Sequence, residues 1–162
     1  MKVALISDIH DHVSHLHLAL ERARKSGCSP LLCMGDMVSL DTFRTLCEAW
    51  TGELHVVFGN NEYEREAFHR LADTFPHVTL YGDEGQLRLD GRSLYMTHLP
   101  RTAMRQTRAG HDAIFFGHTH ERELLMLEKT LIVNPGEILG RRSHPSMAIY
   151  DTGDNSAEHV LL

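Results

Sequence analysis

The segment KVALISDIH, residues 2–10, is an apolar run that ends at an aspartate and a histidine. Its length and composition are typical of a buried strand. Further short apolar runs, LLCM and LHVVF, alternate with helical patterns at roughly Val13 to Lys25, Asp41 to Trp50 and Glu62 to Phe75. This alternation of strand and helix predicts a parallel sheet in the first half of the chain.

The second half, from about Val78, has closely spaced strand patterns instead. Two of them, QLRLD and RSLYMTH, flank Asp90-Gly91, a dipeptide typical of a two-residue hairpin turn. The others are DAIFFG, ELLMLE, TLIVN, SMAIYD and AEHVLL. One further helix is predicted from roughly Thr102 to Ala109. The chain is therefore predicted to be an α/β protein with a mixed second half.

Composition excludes several classes of protein. A chain of 162 residues, 42% hydrophobic and 23% charged, fits a single domain over residues 1–162. The net charge of -6 argues against stable nucleic-acid binding. The first apolar run is too short for a signal sequence or a membrane span, so we expect a cytoplasmic protein. Cys28, Cys33 and Cys47 form no CxxC pair, which disfavours a disulfide framework or a zinc knuckle.

Potential metal ligands stand where the apolar runs end, and the chain is rich in histidine, with 13 of them. These residues are Asp8, His10, Asp36, Asn60, His98, His118 and His120. In open α/β sheets, ligands bind beyond the carboxyl ends of the strands, so residues distant in sequence can converge there. Glycine precedes three of them, which suits a sharp turn where the backbone approaches a ligand closely.

Each of these elements alone is weak evidence. An aspartate and a histidine after a strand are typical of an ordinary turn and a solvated surface, and a single Gly-Asp is weaker still. Two histidines two residues apart in GHTH are more specific to metal binding. The seven residues fall at the ends of five separate predicted strands, in the order Asp8 and His10, Asp36, Asn60, His98, and His118 with His120. The occurrence of all five in one chain indicates one shared site.

The set Asp8-Ile-His10, Gly35-Asp36, Gly59-Asn60, His98 and Gly117-His-Thr-His120 resembles the ordered motifs of the calcineurin-like metallophosphoesterases, over nearly the whole chain. The short length, the lack of a cap insertion and Asn134-Pro-Gly136 are similar to the small YfcE-like phosphodiesterases. The resemblance implies a four-layer αββα sandwich of two mixed β-sheets flanked by helices.

The resemblance also implies a site for two divalent transition metals. It assigns one metal to Asp8, His10, Asp36 and His120, and the other to Asp36, Asn60, His98 and His118, with Asp36 as the bridge. Two metals about 3.5 to 4 Å apart can hold a bridging hydroxide as nucleophile and orient a phosphoryl group. Mixed nitrogen and oxygen ligands suit manganese, iron, zinc, cobalt or nickel, and the resemblance favours manganese.

The predicted function is that of a metal-dependent phosphodiesterase acting on a small phosphoester, with catalytic roles for Asp36, Asn61 and His98. Two alternatives use the same site, a nucleotide pyrophosphatase and a phosphomonoesterase. A third is a non-catalytic scaffold, because a retromer subunit of this fold serves mainly to bind proteins. No membrane partner is expected, and a homo-oligomer is left open.

The chain departs from the family pattern at three places. Asn61 stands where many relatives place a histidine that protonates the leaving group, and an amide cannot serve as a general acid. We interpret Asn61 as the N-cap of the helix that follows, in a capping box with Glu64, with a substrate hydrogen bond as a compatible role. Leu99 follows His98 where glycine is common, and Glu137 stands where serine is common. His12 is interpreted as a solvated or supporting histidine, or one that approaches the substrate.

Overall fold

The computed structural model describes residues 1–162 and contains eleven strands and four helices. The strands are β1 (Lys2–Ile6), β2 (Leu31–Cys33), β3 (Leu54–Val56), β4 (Val78–Leu80), β5 (Glu84–Leu89), β6 (Arg92–Thr97), β7 (Ala113–Phe115), β8 (Arg122–Leu127), β9 (Thr130–Pro135), β10 (Ser146–Asp151) and β11 (Ser156–Leu161). The helices are α1 (Val13–Lys25), α2 (Leu40–Ala49), α3 (Arg65–Ala72) and α4 (Pro100–Arg105).

The strands form two mixed sheets. The first has the order β11-β10-β1-β2-β3-β4, in which β1 to β4 are parallel and β10 is antiparallel to β1. The second has the order β5-β6-β7-β9-β8, with a parallel centre of β6, β7 and β9 and antiparallel edges. The predicted parallel first half and mixed second half are both confirmed.

The layers follow from the alternation of side chains along each strand. In β1, Val3 and Leu5 belong to the apolar core between the sheets, whereas Ala4 and Ile6 belong to the core under the first three helices. A smaller core on the outer face of the second sheet includes Ala103 of α4. The molecule is thus the αββα sandwich that the resemblance implies.

Helix α3 begins later than predicted, at Arg65 rather than Glu62, and its N-cap residue is Glu64, which makes no side-chain capping hydrogen bond. The interpretation of Asn61 as the N-cap is therefore wrong. The physical reason is that the Glu62 side chain turns into the interior, where it accepts hydrogen bonds from the backbone N–H groups of Asp36, Val38 and Gly59. Residues 61–64 consequently bridge β3 and α3 in a non-helical conformation.

The remaining differences are small. Helix α4 begins at Pro100, whose fixed φ favours the first turn, and ends at Arg105 rather than Ala109. Strand β4 is only three residues long and was not predicted. The Asp90-Gly91 turn is confirmed, since both residues have the positive φ of a type I′ turn, 50° and 82°. No helix has the length and apolar character needed to cross a membrane.

Candidate metal centre

The seven predicted ligands all follow the carboxyl ends of strands. Loops after β1, β2 and β3 of the first sheet meet loops after β6 and β7 of the second. The Oδ2 atom of Asp36 lies 3.4 Å from His10 Nε2 and 3.5 Å from His98 Nε2. His120 Nε2 lies 3.4 Å from Asp8 Oδ1. The convergence that the sequence pattern predicted is present.

Asp8, His10 and His120 form the first group of donors, and their ligand atoms lie within 4.8 Å of one another. Asp8 Oδ1 and His10 Nε2 are both buried and have no hydrogen-bond partner. Burying a polar atom without a partner is unfavourable, and a carboxylate oxygen facing two imidazole nitrogens suits a divalent cation. This group therefore fits a metal ion.

His98, Asn60 and His118 lie beside Asp36 as a second group. His98 Nδ1 is 2.7 Å from the carbonyl oxygen of Met34, so in the neutral ring this nitrogen carries the proton and Nε2 carries a lone pair. That Nε2 lies 3.1 Å from Asn60 Oδ1, which is also an acceptor. Two acceptors facing each other suit a cation between them. His118 Nδ1 lies 2.8 Å from the same Asn60 oxygen.

Asp36 connects the two groups through its Oδ2 atom, which faces His10 and His98. Burial by itself raises the pKa of Asp36, but its interactions with His98 and Asn61 outweigh burial and lower the pKa to about 2. The carboxylate is therefore charged at neutral pH. A second oxygen, Oδ1, accepts a hydrogen bond from the Asn61 backbone N–H at 3.0 Å, which fixes the orientation of the group.

The pKa values of the two histidines in the second group are shifted in opposite directions. Burial lowers the pKa of His98, but the hydrogen bond with Asp36 and the charges of Asp8 and Asp36 raise it by more, so the net shift is upward. The pKa of His118 is lowered, first by burial and then by the nearby charge of His98. One imidazole in this group is thus held in its neutral, metal-binding form.

Five of the seven residues adopt the left-handed backbone conformation, which is uncommon for residues other than glycine. Their φ angles are 56° for Asp8, 45° for His10, 56° for Asp36, 71° for His118 and 63° for His120. Such strain persists where the surrounding structure enforces it, and it concentrates at functional sites. Here it turns the backbone sharply after β1, β2 and β7 so that the side chains face one another.

Close backbone packing explains two of the glycines. A Cβ atom on Gly35 would lie 2.3 Å from the Gly59 nitrogen, and one on Gly59 would lie 2.1 Å from Asp36 Oδ1. Neither position can therefore hold a side chain. The predicted role of glycine beside Asp36 and Asn60, a close backbone approach, is confirmed.

Glu62 is a site residue that the sequence pattern placed at the start of a helix. Its side chain is 2% exposed, and it accepts hydrogen bonds from the backbone N–H groups of Asp36 (3.3 Å), Val38 (2.9 Å) and Gly59 (2.6 Å). One carboxylate thus joins the loops that carry Asp36 and Asn60. Its place in the Gly59-Asn-Asn-Glu62 motif was the available signal.

Glu137 and Asn134, after and within β9, support the loop that carries the last two histidines. Glu137 Oε2 accepts a hydrogen bond from His120 Nδ1 at 2.6 Å. The Asn134 side-chain N–H₂ group donates to the carbonyl oxygen of Gly117 at 3.1 Å and to Thr119 Oγ1 at 2.9 Å. In the sequence, Asn134 was noted only as part of the family resemblance, and Glu137 only as a departure from the family pattern.

The side chains of Asn61 and His12 have well-defined partners in the structure. The Asn61 side chain donates a hydrogen bond to Asp36 Oδ2 at 2.8 Å, so it supports the shared carboxylate and does not cap a helix. His12 is the N-cap residue of α1, where its Nδ1 accepts from the His15 backbone N–H at 3.3 Å. The Nδ1 atom of His12 is therefore used to cap helix α1.

Comparison with known proteins identifies the family to which the chain belongs. Residues 1–155 match the model of the calcineurin-like phosphoesterase superfamily domain. A phosphodiesterase of Methanocaldococcus jannaschii is 26% identical over 166 residues, which cover 100% of this chain and 99% of the relative. A solved archaeal phosphodiesterase has 27% identity, a TM-score of 0.91 and complete coverage of both chains.

More distant structures share the fold. The phosphoesterase Yfce of E. coli has a TM-score of 0.73 at 21% identity, with 99% of both chains covered. Vps29 of Entamoeba histolytica, solved with Zn²⁺, has a TM-score of 0.67 at 18% identity, again with 99% of both chains covered. With the family model matching almost the whole sequence, the chain belongs to the calcineurin-like phosphoesterase superfamily.

Proposed function

We propose that the protein is a phosphodiesterase that hydrolyses small phosphoesters with two divalent metal ions. The observation that supports this most directly is the pair of buried atoms without partners, Asp8 Oδ1 and His10 Nε2, which face the rest of the donor set. A metal ion would satisfy both. The family match and the archaeal phosphodiesterase relative agree with this chemistry.

The ligand assignment is part of the proposal. Asp8, His10, Asp36 and His120 would hold one ion, and Asp36, Asn60, His98 and His118 would hold the other. Two divalent ions bound there would supply Lewis-acid activation of a water molecule and of the phosphoryl group. Among metals suited to nitrogen and oxygen donors, we favour manganese, and iron, zinc, cobalt and nickel fit the same donors.

The protein's own residues orient the ligands and stabilise charge. Asp36 shares one oxygen between the two groups, and Asn61 donates to that oxygen. Asn61 has one further amide hydrogen, which is available to a phosphoryl oxygen of the substrate. It has no proton to release near neutral pH, so we propose that substrates with good leaving groups, aryl or phosphoanhydride, are preferred.

The test is metal content followed by activity. The purified protein is loaded with Mn²⁺, its bound metal is measured by mass spectrometry, and hydrolysis is compared among an aryl diester, an aryl monoester and a dinucleoside polyphosphate. We expect two ions per chain and fastest turnover of the diester. Faster turnover of the other two substrates would favour a phosphomonoesterase or a pyrophosphatase.

The variant Asp36→Asn should lose metal and activity together, whereas Asp41→Asn, on the exposed start of α2, should retain both. A fully active Asp36→Asn protein without bound metal would contradict the mechanism. Two bound ions without hydrolysis of any phosphoester would instead support a scaffold role, as for a non-catalytic member of the same fold.

A further inference from the structure

Strand β8 forms one edge of the second sheet and exposes four large apolar side chains in succession. Leu124, Leu125, Met126 and Leu127 are 49%, 49%, 52% and 41% exposed. Because successive side chains of a strand point to opposite faces, both faces of this edge are apolar. A run of this kind on an open edge is uncommon, since an unpaired strand is a template for pairing with another chain.

The other three sheet edges carry features that discourage pairing. Strand β4 has only three residues. Strand β5 exposes Glu84, Gln86 and Arg88, and β11 exposes Ser156 and Glu158. By contrast β8 has no proline and pairs with β9 at six consecutive positions without a bulge. Its only charged residues, Arg122 and Glu123, lie at its first end. The edge formed by β8 is the unprotected one.

We propose that β8 pairs with β8 of a second copy of this chain, antiparallel and about a two-fold axis, to form a homodimer with a continuous sheet of ten strands. Such an interface is isologous: both copies use the same surface, so every contact between two different residues occurs twice. The geometry of the β8–β9 hairpin and the charges on either side of its apolar run, Arg122 and the loop residue Glu128, select one register.

The hairpin determines which backbone groups face outward. Leu127 and Thr130 flank its two-residue loop and form the hydrogen-bonded closing pair. Bonding to β9 therefore alternates from Leu127, and the N–H and C=O groups of Arg122, Leu124 and Met126 face away from β9. Arg122 lies opposite Pro135, which has no N–H, in agreement with this alternation.

A two-fold axis through Leu125 places these outward groups opposite one another. Leu124 of each copy then lies across from Met126 of the other, in two hydrogen-bonded pairs, and the two Leu125 side chains meet on the axis. Arg122 of each copy lies across from Glu128 of the other, so opposite charges pair at both ends. An axis through Leu124 or Met126 lacks these charge pairs: the first places Arg122 against Met126, and the second places Leu124 against Glu128. The charge pattern therefore favours a second copy as the partner.

The first test is the oligomeric state of the full chain. Sedimentation velocity across about 1 to 200 µM should show a monomer–dimer equilibrium, and Leu125→Lys should raise the dimer dissociation constant at least about tenfold, because two like charges meet on the axis. Leu18→Lys is the matched control, since Leu18 is 48% exposed on α1 and should leave the equilibrium unchanged.

Two further variants test the register. Leu125→Cys should form an intermolecular disulfide under mild oxidation, whereas Leu18→Cys should not; the native cysteines are buried and unable to compete. Arg122→Glu should weaken the dimer, and Arg122→Glu combined with Glu128→Arg should restore it. Hydrolysis by each monomeric variant should be unchanged, because no proposed metal ligand lies in β8, so a loss of metal-dependent activity and a loss of dimerisation are separable.

A monomer throughout the concentration range would overturn the proposal and leave the edge to a different protein partner. A dimer that Leu125→Lys does not weaken would overturn it as well. Failure of both the Leu125→Cys cross-link and the charge-reversal rescue, with a dimer present, would show that another surface forms the contact.

Discussion

Glu137 Oε2 lies 2.6 Å from His120 Nδ1, and the Glu137 side chain is completely buried. Its other oxygen, Oε1, accepts hydrogen bonds from the backbone N–H groups of Arg142 and Ser143. Burial raises the pKa of Glu137, but the hydrogen bond with His120 and the two from the Ser143 and Arg142 backbone lower it by more, so the carboxylate is ionised. His120 is thereby held with Nδ1 protonated and Nε2 directed toward Asp8, which is the arrangement of a carboxylate behind a metal-bound histidine.

Replacing Glu137 by glutamine should weaken metal binding. The amide has one acceptor oxygen where the carboxylate used two, so either His120 or the loop at Arg142 and Ser143 loses its partner. We expect metal affinity to fall by about 10- to 100-fold, measured by competition with a chelator. Glu121→Gln, an exposed neighbour of His120, is the control. Equal affinities of the two variants would show that Glu137 does not position His120.

Replacing Glu62 by glutamine should destabilise the fold itself. The carboxylate accepts three backbone N–H groups in a buried position, and an amide would direct its own N–H₂ at one of these donors. We expect the free energy of unfolding to fall by about 2 to 4 kcal/mol in urea denaturation. Glu66→Gln, whose side chain is 95% exposed on α3, should change it little. A Glu62→Gln protein as stable as this control would contradict the role assigned to Glu62.

Replacing Asn61 by histidine should alter the preference among leaving groups. An imidazole can donate a proton where the amide cannot, so hydrolysis of alkyl esters should rise relative to aryl esters, by about tenfold or more. The measurement is the ratio of kcat/KM for the two classes at constant metal content. Asn61→Gln, which keeps an amide, is the control and should leave the ratio unchanged. An unchanged ratio in Asn61→His would rule out proton donation from this position.

His55 should make stability decrease as the pH falls. Its side chain is buried, Nδ1 lies 2.9 Å from the Tyr81 hydroxyl, and Nε2 has no hydrogen-bond partner. Burial lowers the pKa of His55, and the charge of Glu53 opposes this only in part. Below about pH 6.5 the unfolded chain therefore binds a proton that the folded protein does not, which favours unfolding.

The loss of unfolding free energy caused by His55 should be absent above about pH 7.5. It should grow as the pH falls below about 6.5, until the ring in the folded protein also binds a proton. Urea unfolding of the metal-free protein at several pH values measures it. His55→Gln should lose less stability between these limits than the original chain, whereas His17→Gln, on the exposed face of α1, should match the original chain. Parallel pH profiles for all three proteins would contradict this assignment.

Local sequence determined most of the elements and their order. The apolar run of β1, the helical period of α1 and the Asp90-Gly91 turn are properties of neighbouring residues, so they could be predicted without the fold. The carboxyl ends of parallel strands lie on one edge by construction, which is why Asp8, Asp36 and Asn60 were expected to meet.

Tertiary structure decided what lies behind the ligands and at the sheet edges. Whether Glu62 continues a helix or turns inward depends largely on the N–H groups of Asp36 and Val38, which lie 26 and 24 residues away in the loop after β2. Helical propensity carries no information about them. Asn61 likewise contacts Asp36 because the ends of β2 and β3 are adjacent, and Glu137 reaches His120 because β7 and β9 are neighbours in the second sheet. The exposure of β8 also required the sheet order, because an apolar run of the same composition is buried in a central strand and exposed at an edge.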